Sequence, residues 1–275
     1  MANRETKVVV AVPTFQSTIL IAMGDHLKKL FKQDEMVLRS VTGENDTQKD
    51  HLKKILAQLK PSALVAMDIH PDSDIITAYT IAGVPIVLID EEVAGVSTIT
   101  TDNYLGGRIA GEYLVKKGRK KIAIVTGRTH VKGGYNAEQR LKGFQQALSS
   151  VRLSIPSKCM VEVIHYSRED GMEVMPKLLD AGVDGIFCAA GDNCAMGLIV
   201  VAKEKKVRIP EDIAIVGFDD LLIAQLSTPK LTTIRQPLKE MAEAAYKMAV
   251  IQRDEILRKP QNIKFNPEIV VRQSA

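Results

Sequence analysis

Short apolar runs alternate with longer stretches of helical spacing along nearly the whole chain. Lys7–Val12 is a continuous apolar run, the pattern of a strand covered on both faces. Ile19, Met23, Leu27, Leu30 and Phe31 then recur at helical intervals. Val37–Val41 reads as a second strand. Asn45, Asp46 and Thr47 offer N-cap oxygens to a helix that aligns Leu52, Ile55, Leu56 and Leu59. A strand at Ala63–Met67, a helix over Ser73–Ala82 ending at Gly83, and a strand at Pro85–Ile89 continue the alternation. A second series starts at Lys121. Its strands are predicted at Ile122–Val125, Met160–Ile164, Ile186–Ala189 and Ile213–Gly217, and its helices at about Ala137–Leu148, Glu169–Ala181 and Ala195–Lys205. After a strand at Leu231–Arg235, one long helix runs from about Leu238 to Ile256. Two short strands, Asn262–Phe265 and Glu268–Val271, come after it.

Alternating strand–helix units predict a mostly parallel sheet with helices on both faces. Two such series predict an α/β protein of two doubly wound parallel sheets with a crevice between them. In open sheets of this kind ligands bind beyond the carboxyl ends of the strands. The segments where a ligand is expected are therefore Pro13–Thr18, Asp68–Pro71, Asp90–Val93, Gly127–Gln139, His165–Arg168, Ala190–Cys194 and Gly217–Leu222. They locate a site without naming its ligand.

Composition narrows the classes. With 275 residues, 45% hydrophobic and 25% charged, the chain is neither disordered nor a fibrous repeat. The net charge is only +4, there is no Trp, and aromatics are 4%, which argues against reading nucleic acid by charge or stacking. Cys159, Cys188 and Cys194 are odd in number with no CxxC pair, as in a reducing cytosol. The first apolar run is too short for a signal-peptide core, and no run approaches the ~18 residues of a membrane span. A cytoplasmic protein with no membrane contact is expected.

Catalytic signatures are missing from the sequence. It has no GxGxxG after a strand, no GxxxxGK[ST] and no GxSxG. Its five histidines lack ligand spacing, so no metal is expected. Asp219-Asp220 is a carboxylate pair at a strand end, but nothing supplies a nucleophile or a leaving-group acid. The expectation is a binding protein, not an enzyme, with no cofactor. The basic run Lys116–Lys121 reads as a solvated helix end.

Several stretches together resemble the LacI/GalR family of bacterial transcriptional regulators. They are Thr101–Ala110, Gly118 with Lys121–Gly127, Glu138–Phe144, Gly191–Gly197, Ile209–Asp220, Leu231–Pro237 and the tail Pro267–Ser274. Each is weak alone; their order and spacing over residues 7–275 carry the likeness. The resemblance implies the periplasmic binding protein-like type I fold, with two subdomains joined by three crossovers. Residues 7–117 with 237–261 are expected to form one subdomain, and 118–236 with 262–275 the other. The family's helix-turn-helix head is expected to be absent, since the first strand starts at Lys7. Either a fragment or a natural headless protein fits.

The resemblance also maps an effector site. Arg140 matches the family arginine that reaches ligand hydroxyls or purine acceptors, for which a rigid fork of donors is suited. Asp219 matches the carboxylate that accepts from vicinal hydroxyls. Asn136 falls at a polar contact position, Tyr166 at an aromatic platform, and Asp192 and Gln236 at the cleft edge. The family's Asn-Pro-aromatic-aromatic run reads Ser17-Thr18-Ile19-Leu20 here. In the preceding loop Gln16 is a further candidate contact, and Phe15 either supplies the missing ring or belongs to the core at the strand end. Gly191 stands where some sugar-responsive members carry Asn.

Together these features imply an effector-binding and dimerisation region: a sugar, sugar phosphate or purine-like metabolite in the cleft selects one hinge state of a homodimer. Operator DNA would be reached only through the absent head. The alternative is a sugar- or solute-binding receptor of a transporter, which calls for a signal peptide or lipid anchor.

Overall fold

The computed structural model describes residues 7–15, 17–32, 35–42, 46–130, 134–254 and 259–275. In chain order its elements are β1 (Val8–Val12), α1 (Thr18–Leu30), β2 (Met36–Ser40), α2 (Asp46–Lys54), β3 (Ala63–Met67), α3 (Ser73–Ile81), β4 (Ile86–Ile89) and β5 (Ser97–Thr101). Then come α4 (Asn103–Lys116), β6 (Ile122–Thr126), α5 (Tyr135–Ser149), β7 (Met160–Glu162), α6 (Arg168–Asp180), β8 (Gly185–Cys188), α7 (Asp192–Glu204) and β9 (Ala214–Asp219). The last are α8 (Leu222–Leu226), β10 (Thr232–Arg235), α9 (Leu238–Asp254), β11 (Asn262–Phe265) and β12 (Glu268–Val270). They divide into two compact units. Met1–Thr101 and Pro237–Phe265 make the first; Asp102–Gln236 and Asn266–Ala275 make the second.

The first unit holds a six-stranded sheet in the order β11-β5-β4-β3-β1-β2, parallel throughout. Alternate residues of β1 serve opposite faces. Val8, Val10 and Val12 pack with Met23, Leu27 and Met241, while Val9 and Ala11 pack with Leu52, Ile75 and Tyr79. Each large apolar side chain withdrawn from water contributes about 1.5–3 kcal/mol. β5 has no counterpart among the predicted strands, because Ser-Thr-Ile-Thr-Thr is no apolar run. Its β-branched residues suit a strand and all five are buried. Their hydroxyls find partners inside the unit: Thr98 Oγ1 donates to Asn262 Oδ1 at 2.9 Å, and Gln261 N donates to Ser97 Oγ at 3.1 Å.

In the second unit the order is β12-β10-β9-β8-β6-β7, parallel except that β12 runs antiparallel to β10. One face carries Ala123 and Val125 against Met175, Leu178 and Leu198. The other carries Ile122 and Ile124 against Leu114, Phe144, Phe187 and Phe218. β7 is shorter than expected, with Ile164 exposed beyond it.

Two boundaries differ from expectation. Residues 102–117, expected in the first subdomain, form α4, which packs on α5 in the second unit. A Cβ on Gly107 would stand 1.9 Å from the carbonyl oxygen of Arg140, and one on Gly143 would stand 1.9 Å from that of Tyr104. Only glycines allow these helices to meet backbone to backbone. β11, expected in the second subdomain, pairs with β5 in the first sheet. The candidate cap Asn45 and the end of the long helix, Glu255 and Ile256, lie outside the described residues.

Candidate functional site

The carboxyl edge of the second sheet gathers most of the candidate residues. Arg140 sits on the second turn of α5. Its Nε donates to Asn103 Oδ1 at 2.7 Å and its Nη1 to the carbonyl of Ala189 at 2.9 Å. The guanidinium lies 3.6 Å above the ring centroid of the buried Phe218, a cation–π arrangement worth about 0.5–2 kcal/mol. Asn136, one turn earlier, accepts from Asn103 Nδ2 at 3.0 Å. Asn103, 4% exposed, therefore links both residues of α5 to the start of α4. In the sequence Asn103 belongs to a motif but has no evident role. The signal that could have found it is its place just after Asp102, the α4 N-cap that accepts from Leu105 N at 2.8 Å.

Asp219 closes β9 with φ +107°, and Asp220 follows at +58°. Consecutive non-glycine residues in this region cost about 1–3 kcal/mol each, and such outliers cluster at functional sites. Partners hold them. Asp220 pairs with Arg235 at 2.7 Å and Arg272 at 2.5 Å, and Gln236 Nε2 donates to Asp219 Oδ1 at 2.7 Å. Burial pushes the Asp219 carboxyl up, while the Arg140 charge and the Gln236 hydrogen bond pull it part of the way back. Across from it, Gly191 has φ +103°, and a Cβ there would lie 2.9 Å from Asp219 Oδ2. Glycine here keeps that oxygen open.

Asp192 departs from expectation. Expected at the cleft edge, it is wholly buried. Its Oδ2 accepts from Leu221 N at 2.7 Å and its Oδ1 from Thr233 Oγ1 at 2.6 Å. Burial, then the charge of Asp219, holds its carboxyl well above the usual carboxylate range. Asp192 thus ties the turn after β9 to β10. Gln236 is also buried, at 4% exposure, and acts on Asp219. Tyr166, with φ +56°, is half-exposed. A Cβ on Gly127 would fall 2.2 Å from its hydroxyl oxygen, so glycine after β6 makes room for the ring.

The remaining candidates are elsewhere. Phe15 belongs to the first unit, where its ring is exposed at 48% and not packed in the core at the strand end. Gln16 lies outside the described residues. A surface groove along α4 and α5, lined by Tyr104, Arg108, Glu112 and Gln146, includes none of the predicted residues. Among the described residues no group of three or more His, Cys, Asp or Glu is placed to hold a metal, and no helix is long and apolar enough to cross a membrane.

Chemically, this edge offers a fixed guanidinium, a carboxylate with one oxygen facing Gly191, and an aromatic ring. That set suits a small ligand rich in hydroxyls or ring heteroatoms.

Known proteins share the fold. Residues 112–275 match the periplasmic binding protein-like domain family. The chain is 31% identical over 247 residues to the HTH-type transcriptional repressor PurR of Klebsiella pneumoniae, covering 87% of this chain and 70% of that protein. It superposes on the transcriptional regulator CelR–cellobiose complex with a TM-score of 0.82 at 25% identity, over 100% of this chain and 86% of that one. A LacI family transcriptional regulator from Enterococcus faecium with bound ribose gives a TM-score of 0.86 at 22% identity, over 98% of each chain. The chain belongs to the LacI/GalR family of transcriptional regulators, as their periplasmic-binding-protein-like effector-binding domain.

Proposed function

We propose that this chain binds a small polyhydroxylated metabolite, a sugar or close relative, at the carboxyl edge of its second sheet. Binding involves no covalent chemistry and serves to control a regulator's hold on operator DNA. The observation that carries this reading is Arg140. It is clamped between Asn103, Ala189 and Phe218 while its charge reaches Asp219, whose unusual backbone is held by its own partners. Two of the similar structures carry cellobiose and ribose, which supports a sugar-like ligand. The proposed contacts are Arg140, Asp219 and Tyr166, with Asn136 and Gln236 as positioning residues. Action as a cytoplasmic homodimer belongs to the same proposal, since like-on-like pairing is the usual closed assembly.

The test is a thermal-shift screen of the full chain against sugars, sugar phosphates and purines, followed by calorimetry on the hits. A ligand at 100 times its Kd adds about 2.7 kcal/mol of stability, a readable shift. A hit whose affinity survives both Arg140→Ala and Asp219→Asn would overturn the assignment.

A further inference from the structure

Arg128 stands outside the network that joins Arg140 to Asp219. It follows Gly127 beyond β6, on the strand edge that carries Ala189, Asp219 and the Tyr166 ring. Its Nε is shut off from solvent, and among the described residues it has neither a hydrogen-bond partner nor an ion pair. The same holds for the hydroxyl of Thr126, two positions earlier and fully buried. Buried polar groups are nearly always bonded in native proteins, and an unmet one calls for an explanation such as a missing ligand.

The strand ladder says where Thr126 lies, two residues before Arg128. Ile122 and Ile124 face α4 and α5 together with Phe187 and Phe218. By the two-residue alternation of a strand, Thr126 belongs to that same face, the one over which Arg140 spreads. The neighbouring carboxylate is engaged otherwise: Glu162 accepts from both the backbone N–H and the hydroxyl of Thr129. That pair pins the loop to β7 and leaves the Arg128 charge unneutralised among the described residues.

We propose that Arg128 receives a phosphate group of the effector, so that the ligand is a phosphorylated sugar and not a neutral one. The inference rests on reading this edge as an effector site. A guanidinium meets two phosphate oxygens at once through its fork of donors. Asp219 repels an anion and accepts from hydroxyls, which orients the ligand with its phosphate away from β9. In the strand order β9-β8-β6, the two ends are two strand spacings apart, about 10 Å. That is about the reach of a pentose or hexose phosphate from its far hydroxyl to its phosphorus.

Calorimetry on the full chain with D-ribose and D-ribose 5-phosphate, D-glucose and D-glucose 6-phosphate, and inorganic phosphate alone tests this. A phosphorylated sugar is expected to bind about tenfold or more tightly than its neutral parent. Arg128→Gln should erase that preference, Arg128→Lys should keep part of it, and neither should lower the unliganded melting temperature. Neutral sugars binding as well as their phosphates, or an undiminished preference in Arg128→Gln, overturns the phosphate assignment and leaves the effector site standing. Tight binding of neutral sugars by a chain whose Arg128→Gln variant melts well below wild type assigns Arg128 to the fold instead. No binding by any member of the panel overturns both readings.

Discussion

Arg140 makes its bonds before any ligand arrives, so its removal is expected to act twice. Arg140→Ala takes away a charged hydrogen-bond donor worth about 1.5–3 kcal/mol to a ligand, which is roughly ten- to a hundredfold in Kd. It also leaves Ala189 O and Asn103 Oδ1 without their donor. At about 1 kcal/mol for that loss, the unliganded melting temperature should fall by about 2–4 °C. Calorimetry beside a melting curve separates the two effects. Asp192 supplies a prediction in pH. Its folded-state carboxyl is raised, so the folded chain binds the proton more tightly than the unfolded one. The stability it contributes is full below the ordinary value of 3.8 and is lost as pH rises through the raised value. Asp192→Asn keeps an acceptor for Leu221 or Thr233 and has no charge to bury. Melting curves from pH 4 upward should show the variant gaining on wild type as pH increases; parallel curves would refute the assignment.

Helix pairs show how the site is aimed. Gly107 of α4 abuts the carbonyl of Arg140 itself, so the closeness of α4 and α5 sets where the guanidinium begins. Gly107→Ala and Gly143→Ala are each expected to destabilise by about 1–3 kcal/mol through overpacking. Both should weaken effector binding although neither side chain reaches the ligand. Urea unfolding and calorimetry on the same preparations check this. Much at this scale is legible in the sequence. Continuous apolar runs such as Val8–Val12 and Ala63–Met67 announce buried strands, and both form. Ser97–Thr101 stays hidden because hydroxyl residues satisfied inside a sheet look like a loop in sequence. Arg140 and Asp219 stand out through their motifs, but Asn103 does not, since a buried asparagine takes its meaning only from partners 33 and 37 residues away. For the same reason the burial of Asp192, which the resemblance places at the cleft edge, stays hidden: sequence does not show the donors that permit it.

At the scale of the molecule, residues 273–275 are woven into the second unit. Ser274 Oγ donates to Ile215 O at 2.6 Å and accepts from Thr232 N at 2.9 Å, while Tyr113 Oη donates to Ala275 O at 2.9 Å. Ser274→Ala should therefore cost about 1–3 kcal/mol, far more than a substitution in a loose tail normally does. Chemical denaturation of the two proteins measures it, and a change under about 0.5 kcal/mol would contradict the role given to Ser274. The three passages of the chain between units, at 101/102, 236/237 and 265/266, also bear on how the protein is made. A domain commonly folds as its segment leaves the ribosome. Here neither sheet is complete before Asn262 has been made, because the first awaits Asn262–Phe265 and the second Glu268–Val270. Both halves of the nascent chain thus await their last strand together. A chain cut short before Asn262 would bare one new edge strand in each sheet, β5 and β10, instead of leaving one folded unit and one lost.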